Sequence, residues 1–152
     1  MEPIKLTFNP EPAKKLGTVF IVEDSNMDRS MLLDFFISNY PNLLVKSFVN
    51  GTDCVKEIVV TSISPDIILM DYFLDSEDSN NADGLEMLSK IKEISPRSAV
   101  IMHTAVENKR IMELAREKGA FDYVVKGADG FKKLASIIEN DFTLILPPPT
   151  NS

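Results

Sequence analysis

The chain has 152 residues, of which 44% are hydrophobic and 26% charged, a length and composition that suit one globular domain with its own core. The formal net charge of −7 at pH 7 argues against direct nucleic-acid binding, which needs a basic surface. The single cysteine, Cys54, excludes an intramolecular disulfide, and with no bilayer-length apolar run or signal-peptide core the sequence predicts a cytoplasmic protein without a membrane partner.

Strand-like and helix-like segments alternate through the first third of the chain. Residues Thr18 to Val22 (TVFIV) are β-branched and aromatic and predict a buried strand. Ser25 is a candidate N-cap for the next helix, with Asp28 in its first turn. A second strand is predicted from Leu43 to Val49 and a second helix from Gly51 onward. The residues predicted to face inward are Met27, Met31, Leu32, Phe35 and Phe36 in the first helix and Val55, Ile58 and Val59 in the second.

The third strand is the most strongly apolar one. Ile67 to Met70 is an unbroken run that suits a strand buried on both faces, and it ends at Asp71. A polar loop follows, and Asp83-x-x-Glu86 resembles a capping box for a third helix. The apolar face of that helix carries Leu85, Leu88 and Ile91.

The second half repeats the alternation. A fourth strand is predicted from Ala99 to Met102, followed by a helix from Glu107 to Lys118 that Gly119 ends. A fifth strand from Phe121 to Val125 precedes a last helix, for which Asp129 is the candidate cap. Five alternations of strand and helix predict a parallel sheet with helices on both faces.

The domain organisation follows from the proline positions. Residues 1–16 contain three prolines and no sustained periodicity, which predicts a flexible arm. The folded domain is predicted to cover residues 17–146, and residues 147–152 form a proline-rich tail that we expect to be disordered.

Charged and hydroxyl side chains follow the predicted strands: Glu23 and Asp24, Asp71, Thr104 and Lys126. Because the carboxyl ends of parallel strands meet at one edge of a sheet, these side chains should converge there. Three carboxylates that close together cannot all stay ionised without a cation, and hard oxygen ligands favour Mg²⁺. An aspartate beside Mg²⁺ and a lysine can act as a nucleophile toward phosphorus. Each residue alone would indicate no more than a turn carboxylate or a surface lysine.

Five segments carry a family resemblance. VEDSNMDR, PDIILMDYFL, DGLEML, IMHTA and GAFDYVVKG resemble, in order and spacing, the receiver domain of two-component response regulators, over about residues 17 to 142. The resemblance implies a flavodoxin-like α/β fold, a three-layer sandwich with a five-stranded parallel sheet of order 2-1-3-4-5.

The resemblance also implies a role for each matching residue. Asp71 corresponds to the phosphoacceptor, Asp24 to a direct Mg²⁺ ligand and Glu23 to a second acid that acts through water. The backbone carbonyl of Phe73 completes the protein ligands.

Three further residues correspond to the phosphoryl-binding and switching positions. Thr104 and Lys126 bind the phosphoryl group, and Tyr123 is the switch aromatic. The switching face comprises the fourth helix, the fifth strand and the fifth helix, and family members often pair through it, so a homodimer is compatible with the sequence.

Two departures from the family pattern stand out. Gly127 occupies a position after the lysine where the family often has proline, so the sequence leaves the conformation there open. The loop after Asp71 is longer than usual, and its acidic part, residues 75–82, is either a solvated insertion or a contact for a specific partner. His103, the single histidine, is interpreted as a packing residue.

The function that these features predict is that of a stand-alone receiver. It would take a phosphoryl group from a sensor histidine kinase or a histidine phosphotransfer protein and then bind a downstream protein that the sequence does not identify. It would not be an enzyme in the usual sense, since it would catalyse only its own phosphorylation and slow dephosphorylation. Three alternatives are a scaffold with a decayed pocket, a receiver excised from a longer regulator or hybrid kinase, and an Mg²⁺ phosphohydrolase, which would need an acid where Phe73 stands.

Overall fold

The computed structural model describes residues 17–72 and 84–148. The predicted N-terminal arm, the position of Phe73, the acidic 75–82 loop, the candidate cap Asp83 and the last four residues of the tail lie outside the described residues.

Five parallel strands form one sheet of order β2-β1-β3-β4-β5, as the resemblance implied. Each strand is followed by a helix. In chain order the elements are β1 (Thr18–Val22), α1 (Asn26–Asn39), β2 (Leu44–Phe48), α2 (Gly51–Thr61), β3 (Ile67–Met70), α3 (Gly84–Ile94), β4 (Ala99–Thr104), α4 (Lys109–Glu117), β5 (Asp122–Val125), α5 (Ala128–Asp141) and a 3₁₀ turn (Thr143–Ile145).

The sheet separates two hydrophobic cores, because successive side chains of a strand point to opposite faces. Phe20 and Ile68 lie on the face covered by α2, α3 and α4. Ile21 and Leu69 lie on the face covered by α1 and α5. The predicted sandwich of helices on both faces of the sheet is confirmed. Within the described ranges, no helix combines the length and the apolar character that crossing a bilayer would require.

Three residues predicted to face inward are exposed. Met27 and Met31 of α1 are 70% and 48% exposed, and Val59 of α2 is 62% exposed. The helical periodicity predicted an apolar face wider than the part of each helix that is buried. Each of these helices rests on the sheet along a narrow stripe, Leu32 and Phe36 in α1 and Cys54 and Ile58 in α2.

The prediction that Asp129 caps the last helix is wrong. The cap position is Gly127, which makes no side-chain cap hydrogen bond, and α5 begins at Ala128. Gly127 has a φ of 135°, a conformation that glycine adopts without a Cβ clash, so the chain turns from β5 into the helix at once. Asp129 instead lies in the first turn, where its charge favours the helix dipole.

Several predicted boundaries shift by one or two residues. β4 is longer than predicted and includes His103 and Thr104. β5 excludes Phe121, which is exposed. α4 starts later, at Lys109, because the Asn108 side chain accepts hydrogen bonds from the backbone N–H groups of residues 110 and 111 and so acts as the N-cap.

Candidate functional site

The carboxyl edge of the sheet brings together the polar residues that the sequence placed at the strand ends. Glu23 follows β1 and Asp71 follows β3, and the backbone N–H of Asp71 donates to Val22 O at 3.1 Å, so the two acids are on adjacent strands. The backbone N–H of Lys126 donates to Thr104 O at 2.8 Å, which joins the ends of β4 and β5. The predicted convergence is therefore present.

The Lys126 ammonium is at the centre of the site. Its Nζ lies 2.8 Å from Asp28 Oδ2, 2.9 Å from Glu23 Oε2 and 3.0 Å from Asp71 Oδ2. The contacts to Asp28 and Asp71 have hydrogen-bond geometry. Burial alone would lower the pKa of Lys126, but its close contacts with these three carboxylates outweigh burial and raise the pKa above the ordinary value. The lysine therefore stays charged.

Glu23, Asp24 and Asp71 form a candidate cation site. One carboxylate oxygen from each lies within 4.8 Å of the others, with Glu23 and Asp71 buried and Asp24 half-buried. Burial, assisted by the charge of Asp71, raises the pKa of Glu23 to about 7, against the lowering effects of Lys126 and the Ser25 N–H. Among the described residues, Glu23 Oε2 also has no partner with hydrogen-bond geometry. A divalent cation would relieve this repulsion, and three carboxylate oxygens are ligands of the kind that Mg²⁺ prefers. The residues present fit Mg²⁺.

The segment between β1 and α1 is held in place by its own hydrogen bonds. The Ser25 N–H donates to Glu23 Oε1 at 3.1 Å, and Arg29 Nη1 donates to Glu23 O at 2.8 Å. Ser25 Oγ accepts from the Asp28 N–H at 3.3 Å and caps α1, as predicted. These bonds orient the acidic residues toward the sheet edge before any ligand arrives.

Thr104 and Tyr123 lie on the side of the site nearest to α4. Thr104 is fully buried, and its Oγ1 has no hydrogen-bond partner among the described residues. Tyr123 is buried as well, and its hydroxyl donates to Val106 O at 2.6 Å. A buried hydroxyl without a partner is costly, and a ligand oxygen beside Thr104 Oγ1 would remove that cost.

His103 lies in the core, as the packing interpretation predicted. It is 4% exposed, neither ring nitrogen has a hydrogen-bond partner among the described residues, and its ring lies 6.3 Å from that of Phe131. Burial and then the charge of Lys126 lower the pKa of His103 to about 4, so the ring is neutral.

Asp28 is the site residue whose contact with the lysine the sequence did not reveal. The sequence identified it as a first-turn acid of α1, yet it makes the shortest of the three ionic contacts to Lys126. A signal was available in its position. Asp28 lies in the first turn of α1, and α1 starts a few residues after the end of β1, so a first-turn acid is placed near the sheet edge.

The family model of the response regulator receiver domain matches residues 19–139. The chain is 32% identical over 121 residues to the DNA-binding transcriptional regulator NtrC of Proteus hauseri, a match that covers 80% of this chain and 24% of NtrC. It is 27% identical over 119 residues to the chemotaxis protein CheY of Bacillus subtilis, covering 78% of this chain and 92% of CheY. The chain therefore spans about a quarter of the length of NtrC and nearly all of CheY.

A solved structure with the same fold is the CheX-CheY-BeF3-Mg²⁺ complex from Borrelia burgdorferi. The match has a TM-score of 0.68 and 26% sequence identity, and it covers 81% of this chain and 87% of that one.

Proposed function

Because the chain belongs to the response regulator receiver domain family of two-component systems, we propose that it accepts a phosphoryl group on Asp71, with Mg²⁺ bound, and that this modification changes its binding to a partner protein. The donor would be a sensor histidine kinase or a histidine phosphotransfer protein, which we expect the chain to meet in the cytoplasm.

The geometry of Asp71 carries this proposal. Its carboxylate belongs to the candidate cation site and also accepts a hydrogen bond from Lys126. Glu23 meets both groups too. The two residues differ in burial, since Glu23 is 1% exposed and Asp71 5%, so Asp71 has more room to meet a donor.

The residues around Asp71 suit phosphoryl transfer. An Asp71 oxygen would attack phosphorus as the bond between phosphorus and the donor nitrogen breaks. Lys126 and the unpartnered Thr104 hydroxyl would each donate to a phosphoryl oxygen. A bound Mg²⁺, held by Glu23, Asp24 and Asp71, would neutralise charge on the transferring group. The protein would act on its own side chain only, and slow hydrolysis would return it to the starting state.

Tyr123 connects this site to a surface to which a partner could bind. Its hydroxyl donates to the backbone oxygen of Val106 after β4, and Tyr123 lines a groove of about 470 Å³ together with Lys126, Met112 and Lys133. The groove lies between α4, β5 and α5. A shift of Thr104 toward a phosphoryl group would therefore be transmitted to this face, where a target protein or a second copy of the chain would bind.

The test is labelling with acetyl phosphate in the presence of Mg²⁺, followed by intact-mass measurement. The wild type should gain one phosphoryl group and Asp71→Asn none, whereas Glu23→Gln should be labelled slowly but at the same site. Full labelling of Asp71→Asn would disprove the assignment. In the labelled wild type, amide chemical shifts should change on α4, β5 and α5, and changes confined to the sheet edge would refute the switching.

A further inference from the structure

We propose that Asp28 is a positioning residue for Lys126, which keeps the ammonium at the site when Mg²⁺ and a phosphoryl group engage its other two carboxylate partners. This inference rests on the proposed function, since it concerns the state in which Asp71 carries the phosphoryl group.

The first observation is the geometry of the ammonium contacts. Of the three carboxylates around Lys126, only Asp28 and Asp71 are placed for hydrogen bonds, and Asp28 is the nearer at 2.8 Å. The contact to Glu23, at 2.9 Å, is an ion pair without that geometry. Asp28 therefore provides one of two directional bonds that aim the lysine.

The second observation is that these partners differ in what else they do. Glu23 and Asp71 both belong to the group of carboxylates that could hold a cation, whereas Asp28 does not. A divalent cation withdraws electron density from its ligand oxygens and weakens them as acceptors of other bonds. Cation binding should therefore weaken two of the three contacts of Lys126 and leave the contact to Asp28 intact.

Phosphorylation of Asp71 weakens the contact between Asp71 and Lys126 further and does not affect the contact to Asp28. When Asp71 becomes an acyl phosphate, its carboxylate loses its charge. The Lys126 N–H that donated a hydrogen bond to Asp71 must then donate to a phosphoryl oxygen instead. A lysine side chain has four rotatable bonds and readily swings into solvent unless it is held. With one N–H still bonded to Asp28, the Lys126 ammonium has only to replace its hydrogen bond to Asp71 by one to a phosphoryl oxygen.

A simpler role for Asp28 would be to support the start of α1. It lies in the first turn, where an acid favours the helix dipole, and its backbone N–H bonds to the Ser25 cap. That role does not depend on Mg²⁺ and does not involve the ammonium. The two roles are separated by observing Lys126 directly, with and without the ion.

The experiment uses ¹⁵N-edited NMR of the lysine ammonium groups at low temperature, with the Lys126 signal assigned by its loss in Lys126→Met. In the wild type, exchange of the Lys126 ammonium protons with water should stay slow with or without Mg²⁺. In Asp28→Ala exchange should be slow without Mg²⁺, when Glu23 and Asp71 still hold the ammonium. It should become about tenfold faster than in the wild type once Mg²⁺ is bound, a factor equivalent to roughly 1.4 kcal/mol.

Three further variants sharpen the result. Asp28→Glu keeps the charge and should restore slow exchange in Mg²⁺. Asp28→Asn keeps the size but loses the charge and should exchange faster than the wild type, which provides a second measurement if Asp28→Ala does not fold. Asp34→Ala removes an exposed acid from the same helix and should behave as the wild type.

The labelling rate with acetyl phosphate gives an independent readout. Asp28→Ala should be labelled more slowly than Asp34→Ala at saturating donor. If the wild type is not labelled at all, the proposed function fails, while the ammonium spectra still decide whether Asp28 holds Lys126. If Asp28→Ala and Asp28→Asn show wild-type exchange in Mg²⁺, the positioning role is overturned whatever the labelling shows.

Discussion

At the residue scale, the Lys126 ammonium lies among several carboxylates. Lys126 contacts Glu23, Asp28 and Asp71, and Asp24 completes the cation site beside them. The one positive charge of Lys126 does not balance these four carboxylates, which favours a bound cation. Burial, assisted by the charge of Asp71, raises the pKa of Glu23 although a lysine lies beside it.

His103 provides a prediction about pH. Its pKa is lowered from 6.5 to about 4 by burial, so between these values the unfolded chain binds a proton that the folded chain does not. Stability is therefore lost as the pH falls through this window, by about 2 kcal/mol at pH 5. His103→Leu, of similar size and without polar atoms, should remove this loss. Urea unfolding of both proteins at pH 7.5 and pH 5 measures it.

The comparison must be made as a difference between the two proteins, because other acids titrate in the same range and Glu23 contributes in the opposite direction. The stability advantage of His103→Leu should be larger at pH 5 than at pH 7.5. An equal difference at the two pH values would show that His103 does not titrate between them.

At the element scale, α5 packs closely against the end of β5 at Gly130. A Cβ added to Gly130 would overlap the backbone oxygen of Val125 at the end of β5. No side-chain rotation relieves such a contact, because the neighbour is backbone. The position of α5, and with it the turn that carries Lys126, depends on this close approach.

We therefore expect Gly130→Ala to be destabilising, although alanine is the better helix former by about 1 kcal/mol. Separating α5 from β5 should cost about 2 kcal/mol net, in the range of overpacked sites. Urea unfolding at pH 7.5 measures the change. Lys132→Ala, at an exposed position of the same helix, is the control and should be close to neutral. A Gly130→Ala protein as stable as this control would show that the helix accommodates the methyl group.

At the scale of the whole molecule, the site lies where the five-stranded sheet ends, so its repulsion acts on the folded state alone. In the unfolded chain Asp71 is separated from Glu23 by 48 residues. A cation that binds the folded site and not the unfolded chain must raise the free energy of unfolding.

Mg²⁺ should therefore raise the melting temperature. At about a hundred times its dissociation constant the gain in free energy of unfolding is roughly 2.7 kcal/mol. Asp71→Asn should melt higher than the wild type without Mg²⁺, because a repelling charge is removed, and should respond less to the ion. Asp53→Asn, an exposed acid in the first turn of α2, should respond as the wild type does. A wild-type melting curve that is indifferent to Mg²⁺ would contradict the cation site.

The sequence alone determined the alternation of strands and helices and the residues at the strand ends. Runs such as Ile67 to Met70 are apolar on both sides of the backbone, and parallel strands must align their carboxyl ends, so the positions of Glu23, Asp71, Thr104 and Lys126 followed from local pattern and chain direction.

Only the tertiary structure decided which faces are covered and which charges meet. Met27, Met31 and Val59 have the right periodicity for a core, but burial depends on how far each helix extends over the sheet, which no local pattern contains. The start of α5 depended on the turn at Gly127. The contact between Asp28 and Lys126 joins residues 98 apart. It depends on where the folded chain places the start of α1 and the residue after β5. Such contacts join residues of different elements that are far apart in the sequence, so they form only when the sheet and helices pack together.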